Sequence, residues 1–299
     1  MARDQYLPRT YLRNFTPEYL TGKKGGIIEV YSLWSERHRS ASISKHVGFE
    51  LDFYDNHPLD KAWQDLEEKW PETVGALQSR STAAVVVDTL LSFLAIQFVR
   101  VPTMMERVSR QLSLRNMKTV DIEFEGRKTK AAVMDMVKTS DVLDTIATML
   151  PGIKQSATDE YVWTCYHDPF RLKFITCDNP CHYNWTTGES FLPLALDLGL
   201  FGTLSDKGRK PSVRHRQISH EDIRKFNRLI IENAKRFVYC HTSSKRLVDR
   251  IKRHRSDTLV DPMHGGRSFA NEPTTGDPIA MFKRLEALRK KDRELGEEK

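Results

Sequence analysis

Apolar residues recur along the chain in two rhythms, and these predict its elements. Leu59, Trp63, Leu66, Trp70, Val74 and Leu77 follow at three- and four-residue steps and form one face of a helix, which Pro71 should kink or divide. A second helix is predicted over 82–117, the most apolar stretch, with a bend at Pro102; Gln97, Arg100, Met104 and Arg107 share one of its faces. A third is predicted over 130–150 on Val133, Val137, Val142, Ile146 and Met149. Branched and aromatic residues predict strands at 27–34 after the break at Gly25-Gly26, then at 49–54, 120–124 and 237–240. Residues 160–167 and 171–176 read as two more strands around a turn at Asp168-Pro169. Ser219-His220-Glu221-Asp222 matches a capping box and opens a helix with Ile223, Phe226, Ile230 and Ala234 on its core face. A basic helix over 245–255 follows, then a linker bearing Gly and Pro, and a charged terminal helix with Ile279, Phe282, Leu285 and Leu288.

Strands at both ends with helices between them predict an α+β fold: a helical central segment packed against a mixed or antiparallel sheet built from the N-terminal and 160–240 strands. The expected organisation is one domain over 1–255, strand-rich over 1–58, helical over 59–150 and strand/helix with a basic surface over 160–255. Residues 256–299 would be a linker and terminal helix.

Composition narrows the class. At 299 residues, with 39% hydrophobic and 29% charged, the chain suits a soluble globular protein able to bury a large core. Its first residues lack the apolar stretch of a signal peptide, and the longest apolar run, 83–99, is interrupted by Asp88, Ser92 and Gln97. The expectation is therefore a cytoplasmic protein without a membrane partner, whose four cysteines are reduced thiols. Charge is localised: residues 205–255 carry 16 Lys and Arg against 5 Asp and Glu, a net of +11, while the whole chain carries +7. Such clustering favours a polyanionic partner, although a solvated surface face reads the same way.

Two separated stretches are distinctive. One is Gln5-Tyr6-Leu7-Pro8 leading into Tyr11-Leu12-Arg13-Asn14-Phe15. The other is Phe174-Ile175-Thr176-Cys177-Asp178-Asn179-Pro180, with Pro193-Leu194 after it. With Glu50-Leu51-Asp52-Phe53-Tyr54, Gln97-Phe98-Val99-Arg100-Val101-Pro102, Asn227 and Ala234-x-Arg236, they occur in an order that resembles the family known as domain of unknown function 4238, over roughly 5–241. The resemblance implies a shared fold and no settled activity. The family's usual opening histidine is Gln5 here, and an amide does not titrate near neutral pH.

Three constellations could carry chemistry. Arg100 and Gln97 with Asp178 and Asn179 would make a polar pocket, Arg100 binding an anion and Asp178 acting as acid, base or metal ligand. Alternatively Arg100 and Asp178 form a structural ion pair, Asn179 caps the turn, and Tyr11 and Tyr54 are core aromatics. Cys165, Cys177, Cys181, His182 and Cys240, with His167 and His241 adjacent in sequence, form a possible zinc group, but the spacing is not that of a finger. Plain packing of buried thiols is the preferred reading, so no cofactor is expected, with zinc or another divalent metal the lesser alternative. Lys207, Arg209, Lys210, Arg214, Arg216, Arg250 and Arg253, with Lys245, Arg246, Lys252 and Arg255, could bind nucleic acid, though no recognised nucleic-acid motif accompanies them. No Walker loop, nucleophile elbow or His-Glu-x-x-His is present. The leading functional expectation is thus a protein that binds or acts on nucleic acid, as a nuclease-like or defence-type effector. The alternatives are a non-catalytic binding or regulatory module and, third, a small-molecule enzyme using the Arg100/Asp178 pocket.

Overall fold

The computed structural model describes residues 3–255 apart from 22–25, 52–56, 116–117, 125–126, 134–136, 170–172, 185–186, 206–212 and 243. The predicted linker and terminal helix over 256–299, together with Tyr54, Lys207, Arg209 and Lys210, lie outside the described residues.

In chain order the elements are β1 (Arg3–Gln5), α1 (Arg9–Arg13), a 3-10 turn at Pro17–Thr21, β2 (Ile27–Ser32), β3 (His38–Ser42), α2 (Ile43–His46) and β4 (Phe49–Leu51). The helical segment comprises α3 (Pro58–Gln78), α4 (Ala84–Val99), α5 (Pro102–Arg115), the strands β5 (Lys118–Phe124) and β6 (Arg127–Val133), and α6 (Thr139–Asp159). Then follow β7 (Tyr161–His167), β8 (Thr176–Cys177), β9 (His182–Tyr183), β10 (Ser190–Ala195), β11 (Leu198–Leu204), β12 (Val213–Gln217), α7 (His220–Asn233), β13 (Phe237–Cys240) and α8 (Lys245–His254). The fold is α+β as predicted, but its main strands divide between two sheets. One is antiparallel, in the order β3-β2-β13-β8, and joins the N-terminal strands to the later ones. The other, β12-β7-β11-β10-β9, is mixed, because its edge strand β12 runs parallel to β7.

Several helix boundaries differ from prediction. Pro71 lies inside an unbroken α3. The 82–117 helix is two helices that part at Arg100 and Val101, because the ring of Pro102 cannot accept the preceding turn. The 130–150 helix is corrected at its start. Residues 127–133 pair as β6 with β5, and α6 begins only at Thr139, running through Pro151 to Asp159. Of the predicted 171–176 strand, residues 171 and 172 lie outside the described residues, 173–175 are irregular, and Thr176 pairs within β8. The capping box at Ser219 holds: its hydroxyl accepts from the Asp222 N–H at 3.1 Å.

Helices cover both faces of the five-stranded sheet. On one face, Phe226 of α7 stacks on Phe191 at 4.3 Å and meets Phe201 and Tyr166. On the other, Trp163 donates its indole N–H to Ala157 O of α6 at 2.8 Å. Gly202, paired with Trp163, leaves room for that ring: a Cβ there would lie 2.4 Å from it. α3 and α4 pack antiparallel, with Trp70 stacked on Phe93 at 3.6 Å. A continuous buried cluster extends from Tyr6 to Ile251. Among the described residues no single helix is long and apolar enough to cross a membrane.

Candidate functional site

The two distinctive stretches meet. The Tyr11 hydroxyl, on α1, shares a hydrogen bond with Thr176 Oγ1 at 2.7 Å and donates to Pro193 O at 2.9 Å. Asn14 donates to Leu194 O at 3.1 Å and receives the Leu196 N–H at 3.0 Å. The opening motif therefore clamps β8 of one sheet to β10 of the other. Tyr11 is the core aromatic expected, its hydroxyl bonded and its acidity suppressed by burial.

Arg100 and Asp178 are both buried, and each is satisfied by a different group. This corrects the expected pairing between them. Arg100, at the end of α4, forms an ion pair with Glu67 of α3 and stacks over Trp63 at 5.1 Å. Antiparallel packing dictates that choice. With Trp70 beside Phe93 and Trp63 beside Arg100, the intervening Glu67 and Gln97 fall opposite one another. Asp178 follows β8, and its two carboxylate oxygens accept the backbone N–H groups of Lys235 (3.0 Å) and Arg236 (2.8 Å), which lead into β13. Burial pushes its acidity down, raising the pKa, while those N–H groups and the Arg236 charge pull the other way. Arg236 in turn lies 3.8 Å from Glu106 of α5. Asn179 donates to Asn233 O at 3.3 Å, and Asn233 donates back to Asn179 O and to Cys181 O. The Asp178-Asn179 turn is thus stitched to the end of α7, and its polar groups serve the backbone. Gln97 is the exception. It is fully buried, and neither its amide nitrogen nor its oxygen has a hydrogen-bond partner among the described residues.

The cysteine expectation is also corrected. All four thiols are free and buried; burial raises the pKa of Cys165, Cys181 and Cys240 to about 12, and it also raises that of Cys177 well above its ordinary value. Cys177, Cys181, His182 and Cys240 do not join Cys165. Among the described residues, the ligand-bearing group that converges is Cys165, His167 and His215, with all three donor atoms within 4.8 Å of one another. Strand geometry brings them together. Cys165 and His167 are two apart on β7 and share a face, and the parallel register sets His215 of β12 opposite Cys165. His167 Nε2 lies 2.9 Å from His215 Nδ1, and His215 Nε2 lies 3.2 Å from Ser81 O in the α3–α4 connection. Burial, then the neighbouring His215 and Arg80, depress the pKa of His167 to about 4. The sequence itself sets His167 beside Cys165. It gives no local sign of His215, which joins them only through the parallel pairing of β12 with β7.

The basic residues fall on two surfaces. Arg214 and Arg216 are exposed on the edge strand β12. On the other surface, α8 packs on α7 through Ile251, Leu247 and Val248, and Lys252 and Arg255 pair with Glu36. Desolvation first, then the charges of Arg228 on α7 and of Arg253 and Arg250 on α8, lower the pKa of His254, and Glu232 opposes them. Arg228 also pairs with Glu232 at 2.7 Å.

The two-sheet α+β architecture, tied together by its N-terminal motif, defines a class of fold and not an activity. The chain belongs to the family described as protein of unknown function DUF4238, whose model matches residues 6–244. No curated protein and no solved structure matches the chain.

Proposed function

We propose that this protein binds nucleic acid by its phosphate backbone, through the ridge formed by α7 and α8. What supports this most directly is the net charge of +11 over residues 205–255, within which Arg228, Arg250 and Arg253 all act electrostatically on His254 and Glu232 opposes them. Phosphate binding needs several cations fixed along one surface, and α8 supplies two of them while its other residues anchor it to Glu36 and the core. Arg214 and Arg216 on β12 form a second, separate positive surface. This reading is one of binding, without a cleavage step. Arg100 and Asp178 are committed to Glu67 and to backbone N–H groups, which favours the non-catalytic module over the small-molecule enzyme.

Fluorescence anisotropy of the full chain with labelled DNA and RNA oligomers, over a range of salt, tests the reading. Affinity should fall steeply with salt. Replacing Arg228, Arg250 and Arg253 with Ala should lower the log–log salt slope by about 2–3, because each phosphate neutralised on a duplex accounts for roughly 0.9 of that slope. A parallel Arg214→Ala/Arg216→Ala variant reports whether the β12 surface also touches the nucleic acid. Absence of salt-dependent binding, or an unchanged slope in the triple variant, sinks the proposal.

A further inference from the structure

We infer that Cys165, His167 and His215 form a binding site for a zinc-class divalent cation that staples the edge strand β12 to β7 and leaves one coordination position open. The donor set suits such an ion: one thiolate and two imidazoles, drawn from two adjacent strands on one face of the sheet. Tetrahedral zinc holds sulfur at about 2.3 Å and nitrogen at about 2.0–2.1 Å, so neighbouring donors stand roughly 3.3–3.6 Å apart. Here the two imidazole nitrogens are 2.9 Å apart and no donor pair exceeds 4.8 Å. Small rotations of the side chains about fixed strands cover both differences.

The hydrogen bond to Ser81 adds an independent argument. A carbonyl oxygen can only accept, so His215 Nε2 must carry a proton. A neutral His215 then has a bare Nδ1, which faces His167 Nε2 and the cluster. This is the arrangement by which metal-bound histidines are oriented, the far ring nitrogen donating to a backbone carbonyl. Without metal, His167 Nε2–H donates to that lone pair. On binding, His167 moves its proton from Nε2 to Nδ1, and Cys165 releases its thiol proton to solvent. One proton leaves for each cation bound.

Three protein donors leave the fourth position of a tetrahedral ion for water or an exogenous ligand. His167 and His215 are only partly buried, which gives the ion a route in, whereas Cys165 is sealed beneath them. Arg80 opposes the cation with its positive charge; Asp197 attracts it, while the same negative charge disfavours the free Cys165 thiolate.

The test uses the full chain without a histidine tag, stripped with chelator and titrated with Co²⁺ as a spectroscopic stand-in for Zn²⁺. One equivalent should bind, giving a thiolate-to-cobalt charge-transfer band and the visible bands of a tetrahedral centre, and Zn²⁺ should displace it. Cys165→Ala should remove the charge-transfer band. His215→Gln should weaken binding by more than the roughly 10–100-fold that loss of an outer partner alone costs. Cys240→Ser, outside the cluster, should leave the spectrum intact. If Cys165→Ala unfolds, His215→Gln at the sheet edge carries the test, with Zn²⁺ raising the melting temperature of the parent chain and not of the variant. Absence of a charge-transfer band in the parent, or a band that persists in both cluster variants, overturns the site. Nucleic acid is absent throughout, so the outcome is independent of the α7–α8 reading.

Discussion

The layer between α3 and α4 and the edge of the five-stranded sheet both gather polar side chains, and they use them differently. In the helical layer the charged groups are buried and matched: Arg100 meets Glu67 and the face of Trp63, and Asp178, beyond it, takes two backbone N–H groups. At the sheet edge His167 and His215 are half-buried, and their ring nitrogens face one another beside Cys165. A buried charge must be neutralised by the fold itself, since the interior offers no water to do it. A half-exposed cluster can keep donor atoms for something else. The distinctive motif residues therefore read as architecture, and the less conspicuous Cys-His-His group keeps its chemical capacity.

The largest effect that tests this contrast is at Asp178. Asp178→Ala removes the acceptor of the part-buried N–H groups of Lys235 and Arg236, and should cost about 2–4 kcal/mol in urea denaturation, from roughly 1–3 kcal/mol per group. Asp178→Asn keeps one acceptor and should lose about half as much. Unchanged stability with abolished binding would return Asp178 to the functional side.

Next comes the Arg100–Glu67 pair. Arg100→Met leaves Glu67 without the pair and should destabilise by about 3 kcal/mol. The double variant with Glu67→Met should recover most of that, because a well-packed apolar pair replaces a buried ionic one at little cost. Additive losses in the double variant would show that the two residues act separately.

A pH test follows. His241 is held neutral by burial, then by the Lys173 charge, with its pKa lowered to about 4 from an ordinary value of 6.5. Its unfolded form binds a proton first, so stability present above pH 6.5 is lost as pH falls toward 4. Discounted for partial exposure, the loss should be about 1–2 kcal/mol, and His241→Gln should flatten the profile between those limits. An unchanged profile would remove His241 as its source. The smallest effect is at Gln97. Replacing this buried amide, unpartnered among the described residues, by Met should be neutral or stabilising by about 1 kcal/mol. A marked loss would show that the amide binds something essential.

Much of this is legible in the chain. The α+β class, the helix faces, the Ser219 cap and the need of Arg100 for a partner all follow from periodicity and burial. The identity of that partner does not, because it depends on the antiparallel register of α3 and α4, which brings Glu67 across to Arg100. His215 is hidden for a similar reason, since a parallel edge strand carries no hairpin to announce its neighbour. The β5–β6 pairing does leave a signal, though a weaker one than its competitor: Val120, Ile122 and Phe124 alternate, and Glu125-Gly126 separates them from the next run. Apolar positions from Val133 onward fit a helical period and draw the helix start too early.

The clamp formed by Tyr11 and Asn14 bears on how the chain is made. These residues leave the ribosome well before their partners, which lie 165, 182 and 180 positions further along. At about 5–20 residues per second, the opening motif waits on the order of ten seconds or more before its hydroxyl and amide can be met. Such distant closures are slow and leave apolar surface open meanwhile. A chain halted near residue 170 would hold its helices and the β2–β3 hairpin, but Tyr11 and Asn14 would have nothing to join. The Tyr11–Asn14 motif is made well before its partners and is locked only after them, so completion of both sheets is a late event.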